Sequence, residues 1–149
     1  MKLLRVGELG AETVAALDSN NIVRDLSDHI KDLNPQTINE ETLNKLKKIK
    51  LSELKKINSN IRIGACISNP VDFLAIGLNY KAHAEGTKSK LPTEPIVFNK
   101  SSGCIQGPND QIVKPKSASK MDYEVEVGMI IGREGKYIKE ENAQDYVFG

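Results

Sequence analysis

Two glutamates, Glu124 and Glu126, alternate with apolar residues between positions 122 and 132. Side chains two positions apart on a strand share a face, so a strand here would gather the carboxylates on one side. Tyr123, Val125 and Val127 would then point the other way, toward a core. Carboxylates held this close repel each other unless a cation compensates them, which indicates a hard, oxygen-ligated ion such as Mg²⁺, or Mn²⁺ or Ca²⁺. The alternative is a solvated strand face without a ligand.

A second group of reactive side chains follows an apolar run at residues 73–78. The run has the length of a strand that is buried on both faces. Tyr80, His83 and Glu85 come directly after it, where a buried strand would hold them beside an opening. A histidine has the pKa range to deprotonate a water molecule, although a structural role for His83 stays open. The charged loop at residues 84–94 could close over a pocket.

A lysine, Lys100, ends the next predicted strand at residues 95–100. Its ammonium group could meet an anionic substrate, and a solvated position is the alternative. Gly107-Pro108-Asn109-Asp110 is typical of a turn, and it precedes a predicted strand at residues 111–113.

The composition excludes several classes of function. The chain has 149 residues, of which 39% are hydrophobic and 28% charged, and a formal net charge of +1. Such a balance gives no general attraction for nucleic acid or for an anionic membrane. No apolar run approaches bilayer length and the first residues lack a signal-peptide pattern, so we expect a cytoplasmic protein without a membrane partner. Cys66 and Cys104 fit neither a disulfide framework nor a zinc pattern, and we expect reduced, buried thiols.

The N-terminal part has the pattern of a small β-meander followed by a helix. Strands are predicted at residues 3–6, 13–17 and 22–26, and a helix at about residues 40–49, where Thr37 and Glu40 have capping-box spacing. Six lysines lie between Lys45 and Lys56, but no aromatic stacking partners accompany them, which favours a solvated face over a nucleic-acid patch. We predict an α+β, β-dominated chain with domains at residues 1–60 and 61–149.

Four motifs, in this order and spacing, resemble the fumarylacetoacetate hydrolase family: Gly77-Leu78-Asn79-Tyr80-x-x-His83, Pro95-x-x-Phe98-x-Lys100, Gly107-Pro108-Asn109-Asp110 and Asp122-Tyr123-Glu124-x-Glu126. The N-terminal sequence is similar to the branch labelled ureidoglycolate lyase or 2,4-diketo-3-deoxy-sugar-acid hydrolase. The resemblance implies a small N-terminal domain, the first part of the family's β-roll, a homodimer and a divalent cation. It implies a hydrolase or lyase of a small 2-oxo or diketo acid, with isomerases and decarboxylases as family alternatives.

The resemblance also implies roles for individual residues. Glu124 and Glu126 would ligate the metal, His83 would act as a base oriented by Glu85, and Lys100 and Tyr80 would bind substrate. In many family members the carboxylate that orients the histidine lies three positions after it, where this chain has a glycine. Glu85 is one position earlier, which rotates a helical side chain by about 100°.

Relatives continue beyond the position of Gly149 into a segment with a third metal ligand. The resemblance therefore implies that these residues are about the first half of a family enzyme. The alternative is a non-catalytic chain that acts only in assembly with another polypeptide.

Overall fold

A computed structural model describes all 149 residues and confirms the predicted α+β class. In chain order, the strands and α-helices are β1 (Lys2–Val6), β2 (Thr13–Leu17), β3 (Val23–Asp25), α1 (Glu40–Lys47), β4 (Leu74–Gly77), α2 (Lys81–Gly86) and β5 (Ile96–Asn99). Short 3₁₀ helices cover Leu51–Glu53, Ser102–Cys104 and Glu140–Tyr146. None of the helices has the length and apolar character needed to cross a membrane.

The N-terminal meander forms as predicted. β1, β2 and β3 make an antiparallel sheet in that order, with Lys2 opposite Leu17 at one end of the first pair. The turn between β2 and β3 is held by Asp18, whose Oδ1 accepts hydrogen bonds from the backbone of Asn20 at 2.8 Å and of Ile22 at 3.0 Å. A short carboxylate that caps its own turn fixes the register of both strands.

The main hydrophobic core lies against this sheet. Its buried members are Val14, Ala16, Leu26, Ile30, Leu33, Ile38 and Leu46. Leu46 is 1% exposed and comes from α1, so the helix closes the core on its apolar side. Partly buried side chains from distant parts of the sequence, such as Ile130 and Phe148, pack against the same cluster.

The helix α1 begins at Glu40, as predicted, but its N-cap lies two residues later than the capping-box spacing implied. Asn39 is the N-cap residue, and its side chain accepts a hydrogen bond from the backbone of Thr42 at 2.8 Å. The Thr37 hydroxyl instead donates to the carbonyl of Asp32 at 2.5 Å. The predicted cap at Thr37 was therefore wrong, because that hydroxyl is used within the preceding loop.

The chain divides into two compact units. One consists of residues 1–68 and 106–149, and the other of residues 69–105, which contain α2 and the antiparallel pair β4–β5. The predicted domain boundary between residues 60 and 61 stays a prediction.

Burial of the 73–78 run on both faces was a wrong prediction. Leu74 is 58% exposed and Ile76 is 41% exposed. The physical reason is that β4 pairs with a single strand, β5, whose four residues are themselves exposed.

Two further predicted strands do not form. Residues 111–113 pair with nothing, and within residues 122–132 the only bridge joins Ile131 to Val147. Tyr123 and Val125, expected in a core, are 84% and 82% exposed. A strand requires a ladder of hydrogen bonds to a neighbour, and the backbone hydrogen bonds to residues 146–149 involve Ile130 and Gly132, at the end of this segment.

Both cysteines are free thiols, as expected. They are, however, exposed rather than buried, so the predicted burial of Cys66 and Cys104 was wrong. Each lies in a loop or short 3₁₀ turn instead of on a core-facing strand.

Candidate active site

His83 lies in α2, the short helix that follows β4 in the smaller unit. The carbonyl of Tyr80 accepts the backbone hydrogen bonds of His83 at 3.0 Å and of Ala84 at 3.1 Å, and so starts the helix. Ala84 is fully buried and anchors one side of the helix, whereas the imidazole of His83 is on the exposed side. The local sequence thus fixes the backbone of the histidine and leaves its ring open to solvent.

Glu85 forms an ion pair with Lys81 rather than with the histidine. The distance from Lys81 Nζ to Glu85 Oε1 is 3.8 Å, and the two residues are one helical turn apart. Both side chains are exposed, so this pair contributes little to stability. His83 and Glu85 share α2, but no hydrogen bond joins their side chains.

Strain marks the connection between β4 and α2. Leu78 has a φ of 51°, in the left-handed region that residues with a Cβ rarely occupy. Backbone strain of this kind is found most often at functional sites. Sequence reasoning missed it, because only a glycine or asparagine at this position would have signalled a left-handed residue.

Lys100 lies at the other end of the β4–β5 pair. The register places Gly77 opposite Ile96 and Leu74 opposite Asn99, so Lys100 is beside the start of β4. Its backbone donates to the carbonyl of Phe73 at 2.7 Å. About 10 Å of strand therefore separates the end that carries Lys100 from the end that leads to His83.

Glu124 and Glu126 lie in a segment of the larger unit, residues 121–130, that has no turn or bend. Neither glutamate forms an ion pair or hydrogen bond, and both are exposed. Nearby, the Oδ1 of Asp122 accepts a hydrogen bond from the backbone of Tyr123 at 2.8 Å. The two glutamates belong to a different compact unit from Tyr80, His83, Glu85 and Lys100.

The donor chemistry at Glu124 and Glu126 fits a divalent cation, since hard ions prefer carboxylate oxygens. These two glutamates are, however, too few ligands to form a complete metal site. No cluster of three or more His, Cys, Asp or Glu side chains is close enough to hold a metal ion. Two carboxylates alone would leave most coordination positions of a divalent cation to other ligands.

A network of ion pairs in the larger unit was not foreseen from the sequence. Glu12, whose side chain is 5% exposed, bridges two arginines, with Oε1 at 2.8 Å from Arg62 and Oε2 at 3.4 Å from Arg5. Arg62 also binds Asp110 through two hydrogen bonds of 2.8 and 2.6 Å. Arg5 binds Asp32 at 2.6 Å, and Ser68 donates to the same carboxylate. These contacts tie the predicted turn at residues 107–110 to the N-terminal sheet.

The network shifts the acidity of its members. The hydrogen bond from Arg62 holds the pKa of Glu12 below its ordinary value, against an opposing effect of burial. The same guanidinium lowers the pKa of Asp110, and the two carboxylates raise the pKa of Arg62. Burial raises the pKa of Asp32, but hydrogen bonds from Arg5 and Ser68 outweigh it and leave that pKa lowered. These groups stay charged at neutral pH and act structurally.

The network borders an open depression of about 480 Å³, lined by residues 59–63, Asn109 and Asp110. The guanidinium of Arg62 lines the depression and already forms ion pairs with Glu12 and Asp110. No buried side-chain polar atom of the protein lacks a hydrogen-bond partner. The depression therefore offers no free charged group to a ligand.

Comparison with known proteins matches residues 72–149 to the family model described as fumarylacetoacetate (FAA) hydrolase C-terminal. The chain is 43% identical over all its 149 residues to a protein of Burkholderia ambifaria named "Putative hydrolase". It is 42% identical to similarly named proteins of Burkholderia lata and Burkholderia multivorans. In each case it spans 53% of the relative's length. Since the family model covers more than half of the chain, this protein belongs to the fumarylacetoacetate hydrolase family.

Proposed function

We propose that these residues are part of a hydrolase or lyase that acts on a small 2-oxo or diketo acid and requires a divalent cation, Mg²⁺ or else Mn²⁺ or Ca²⁺. One observation carries the proposal. The family match at residues 72–149 contains every side chain for which the sequence predicts a chemical role. These are Tyr80, His83, Glu85, Lys100, Glu124 and Glu126.

Glu124 and Glu126 are the proposed metal ligands. Their carboxylates are free of ion pairs, so no cation of the protein competes for their oxygens. A bound ion would polarise the oxo acid that the enzyme acts on. The protein's own contribution is two negative charges in the same short segment, which favour a cation over a neutral ligand.

His83 is the proposed base that takes a proton from the attacking water. Its backbone is fixed by hydrogen bonds in α2, and its exposed ring is accessible to water and substrate. Glu85 is proposed to orient the ring, which requires it to leave Lys81; the 3.8 Å exposed ion pair between them is weak enough to exchange. Lys100 is proposed to bind the substrate carboxylate, and Tyr80 is proposed to contact the substrate near His83.

Turnover of a 2,4-diketo acid, followed by the loss of its enol absorbance with and without Mg²⁺, tests the proposal. His83→Ala should lower kcat by about a hundredfold or more if the histidine is a general base. The chain has one other histidine, His29, which is also exposed and serves as the matched control. Equal rates for His83→Ala and His29→Ala would reject the role of His83.

Glu85→Gln separates the orienting role from a structural one. We expect a fall in kcat of about tenfold or more, together with a shifted pH–rate profile, because the ring would lose its charged partner. An unchanged rate and profile would exclude Glu85 from the site. Analysis of the products distinguishes cleavage from decarboxylation or isomerisation. The expected homodimer stays a prediction.

A further inference from the structure

The helix α2 ends in a Schellman motif, a C-terminal cap in which two backbone hydrogen bonds satisfy the last carbonyl groups of the helix. The amide of Ser89 donates to the carbonyl of Ala84 at 2.9 Å, and the amide of Lys88 donates to the carbonyl of Glu85 at 3.1 Å. The motif requires a left-handed residue directly after the C-cap, which is Thr87. Lys88 occupies that position, with a φ of 56°.

A lysine is an unfavourable residue at this position. Glycine usually occupies it, because a Cβ strains the left-handed conformation. The glycine of this segment is instead Gly86, two positions earlier and inside α2, where glycine weakens a helix relative to alanine. A Cβ at Gly86 would meet nothing within 4 Å, so packing does not require the glycine there. Gly86 and Lys88 thus each occupy a position that suits another residue type better.

The side chain of Lys88 makes no contact that offsets the strain. It is exposed and forms no ion pair or hydrogen bond, whereas Lys81 of the same helix pairs with Glu85. Together with Leu78, Lys88 gives α2 a left-handed residue on either side. Backbone strain of this kind is found most often at functional sites. The free ammonium group, rather than the fold, therefore accounts for a lysine at this position.

The cap that contains Lys88 also holds His83. The carbonyl of His83 accepts two hydrogen bonds from Thr87, one from the backbone amide and one from Oγ1, each at 3.0 Å. Helical rise places Thr87 about 6 Å along the axis from His83, which is of the order of the length of a small dicarboxylic acid. An ammonium group is a compact point charge that suits a carboxylate.

We infer that Lys88 is a specificity-determining residue that binds a second carboxylate of the substrate, distinct from the one assigned to Lys100. The preferred oxo acid would then carry a carboxylate at each end. This substrate class rests on the proposed function, because it assigns Lys88 to the same site as His83.

The test compares two five-carbon 2-oxo acids that differ in the second carboxylate, 2-oxoglutarate and 2-oxopentanoate. Each acid is titrated into the 149-residue chain with Mg²⁺ present, and NMR follows the backbone amides at residues 83–90. Lys88→Asn removes the charge and keeps a residue that tolerates the left-handed conformation. Lys90→Asn is the matched control, because Lys90 is also exposed, has no ion pair and has no positive φ.

We expect the wild type and Lys90→Asn to bind 2-oxoglutarate about fivefold more tightly than 2-oxopentanoate, as a single exposed charge pair allows. Lys88→Asn should bind the two acids equally, and Lys88→Arg should retain the preference. Equal affinities of the wild type for the two acids would overturn the inference, as would an equal preference in Lys88→Asn and Lys90→Asn.

Lys88→Gly separates the charge from the cap. It should raise the hydrogen-exchange protection of the Ser89 amide by about fivefold, because the strain is removed, and yet lose the preference for 2-oxoglutarate. A merely structural lysine would not combine a more stable cap with lost discrimination. Unchanged protection in Lys88→Gly would overturn the premise that this lysine is strained.

The turnover assay with His83→Ala tests the proposed function separately. Discrimination by Lys88 in the titration without turnover would reject the proposed function and support the anion site. Turnover that depends on His83, combined with equal affinities for the two acids, would overturn the role of Lys88 and leave the proposed function standing.

Discussion

Replacing Gly107 with alanine tests the packing of the turn at residues 107–110. Gly107 is buried, and its backbone donates to Asp110 Oδ2 at 2.8 Å. A Cβ built at this position would lie 2.4 Å from the carbonyl oxygen of Ile63 and 2.8 Å from Asp110 Oδ2. Both distances are shorter than real Cβ contacts. One of the neighbours is backbone, so the turn itself would have to move.

The size of the effect follows from the cost of overpacking. Inserting one methyl group into a packed site that must shift costs about 2 kcal/mol in the free energy of unfolding. For a chain of this length, that corresponds to a fall in Tm of about 4–8 °C. Movement of Asp110 would also disturb its two hydrogen bonds with Arg62, which tie the turn to the N-terminal sheet.

Urea denaturation of the wild type and of Gly107→Ala measures this difference. Gly128→Ala is the matched control, because a Cβ at Gly128 meets nothing within 4 Å. We expect the control to change the free energy of unfolding by no more than about 0.5 kcal/mol. Equal unfolding midpoints for the two variants would show that the turn is not packed as described.

Three further predictions concern charge and capping. Glu12→Gln should lower the free energy of unfolding by about 2 kcal/mol in a urea titration, because it removes a charged hydrogen-bond acceptor whose side chain is 5% exposed. The control Glu53→Gln, at a side chain that is 66% exposed, should have almost no effect in the same titration. The carboxylates of the network have lowered pKa values in the folded state, so the unfolded chain takes up protons first as the pH falls. The free energy of unfolding should therefore be constant near neutral pH and decline below about pH 4.5. A urea midpoint that does not change between pH 5 and pH 3 would contradict the network. Asn39→Ala should cost about 1 kcal/mol by removing the 2.8 Å cap on Thr42, and an unchanged thermal midpoint would argue against that cap.

Local patterns were sufficient to predict the elements whose partners are close in sequence. Alternating apolar residues and the turn at Asp18 specified the meander, and helical spacing specified α1. The apolar run at residues 73–78 was correctly predicted to form a strand, observed at Leu74–Gly77, but its predicted burial was wrong, because burial depends on what covers a sheet.

Longer-range features could not be read from the sequence. Arg62 and Asp110 are 48 positions apart, and no periodic pattern links a guanidinium to a carboxylate over that distance. The segment predicted as a strand at residues 122–132 has the right alternation but belongs to neither sheet, because alternation alone does not determine which segment pairs with it. The same reasoning identified Glu124 and Glu126 as neighbours in one segment, while their metal-binding role stays a prediction.

Titration calorimetry of Mn²⁺ into the 149-residue chain tests the central proposal most directly. The variants are Glu124→Gln, Glu126→Gln and, as a control, Glu134→Gln, which replaces an exposed glutamate outside the proposed site. We expect saturable binding that each of the first two substitutions weakens by about tenfold or more and that the control leaves unchanged. Equal affinities for Glu124→Gln and Glu134→Gln, or no saturable binding by the wild type, would contradict a metal site on these two carboxylates.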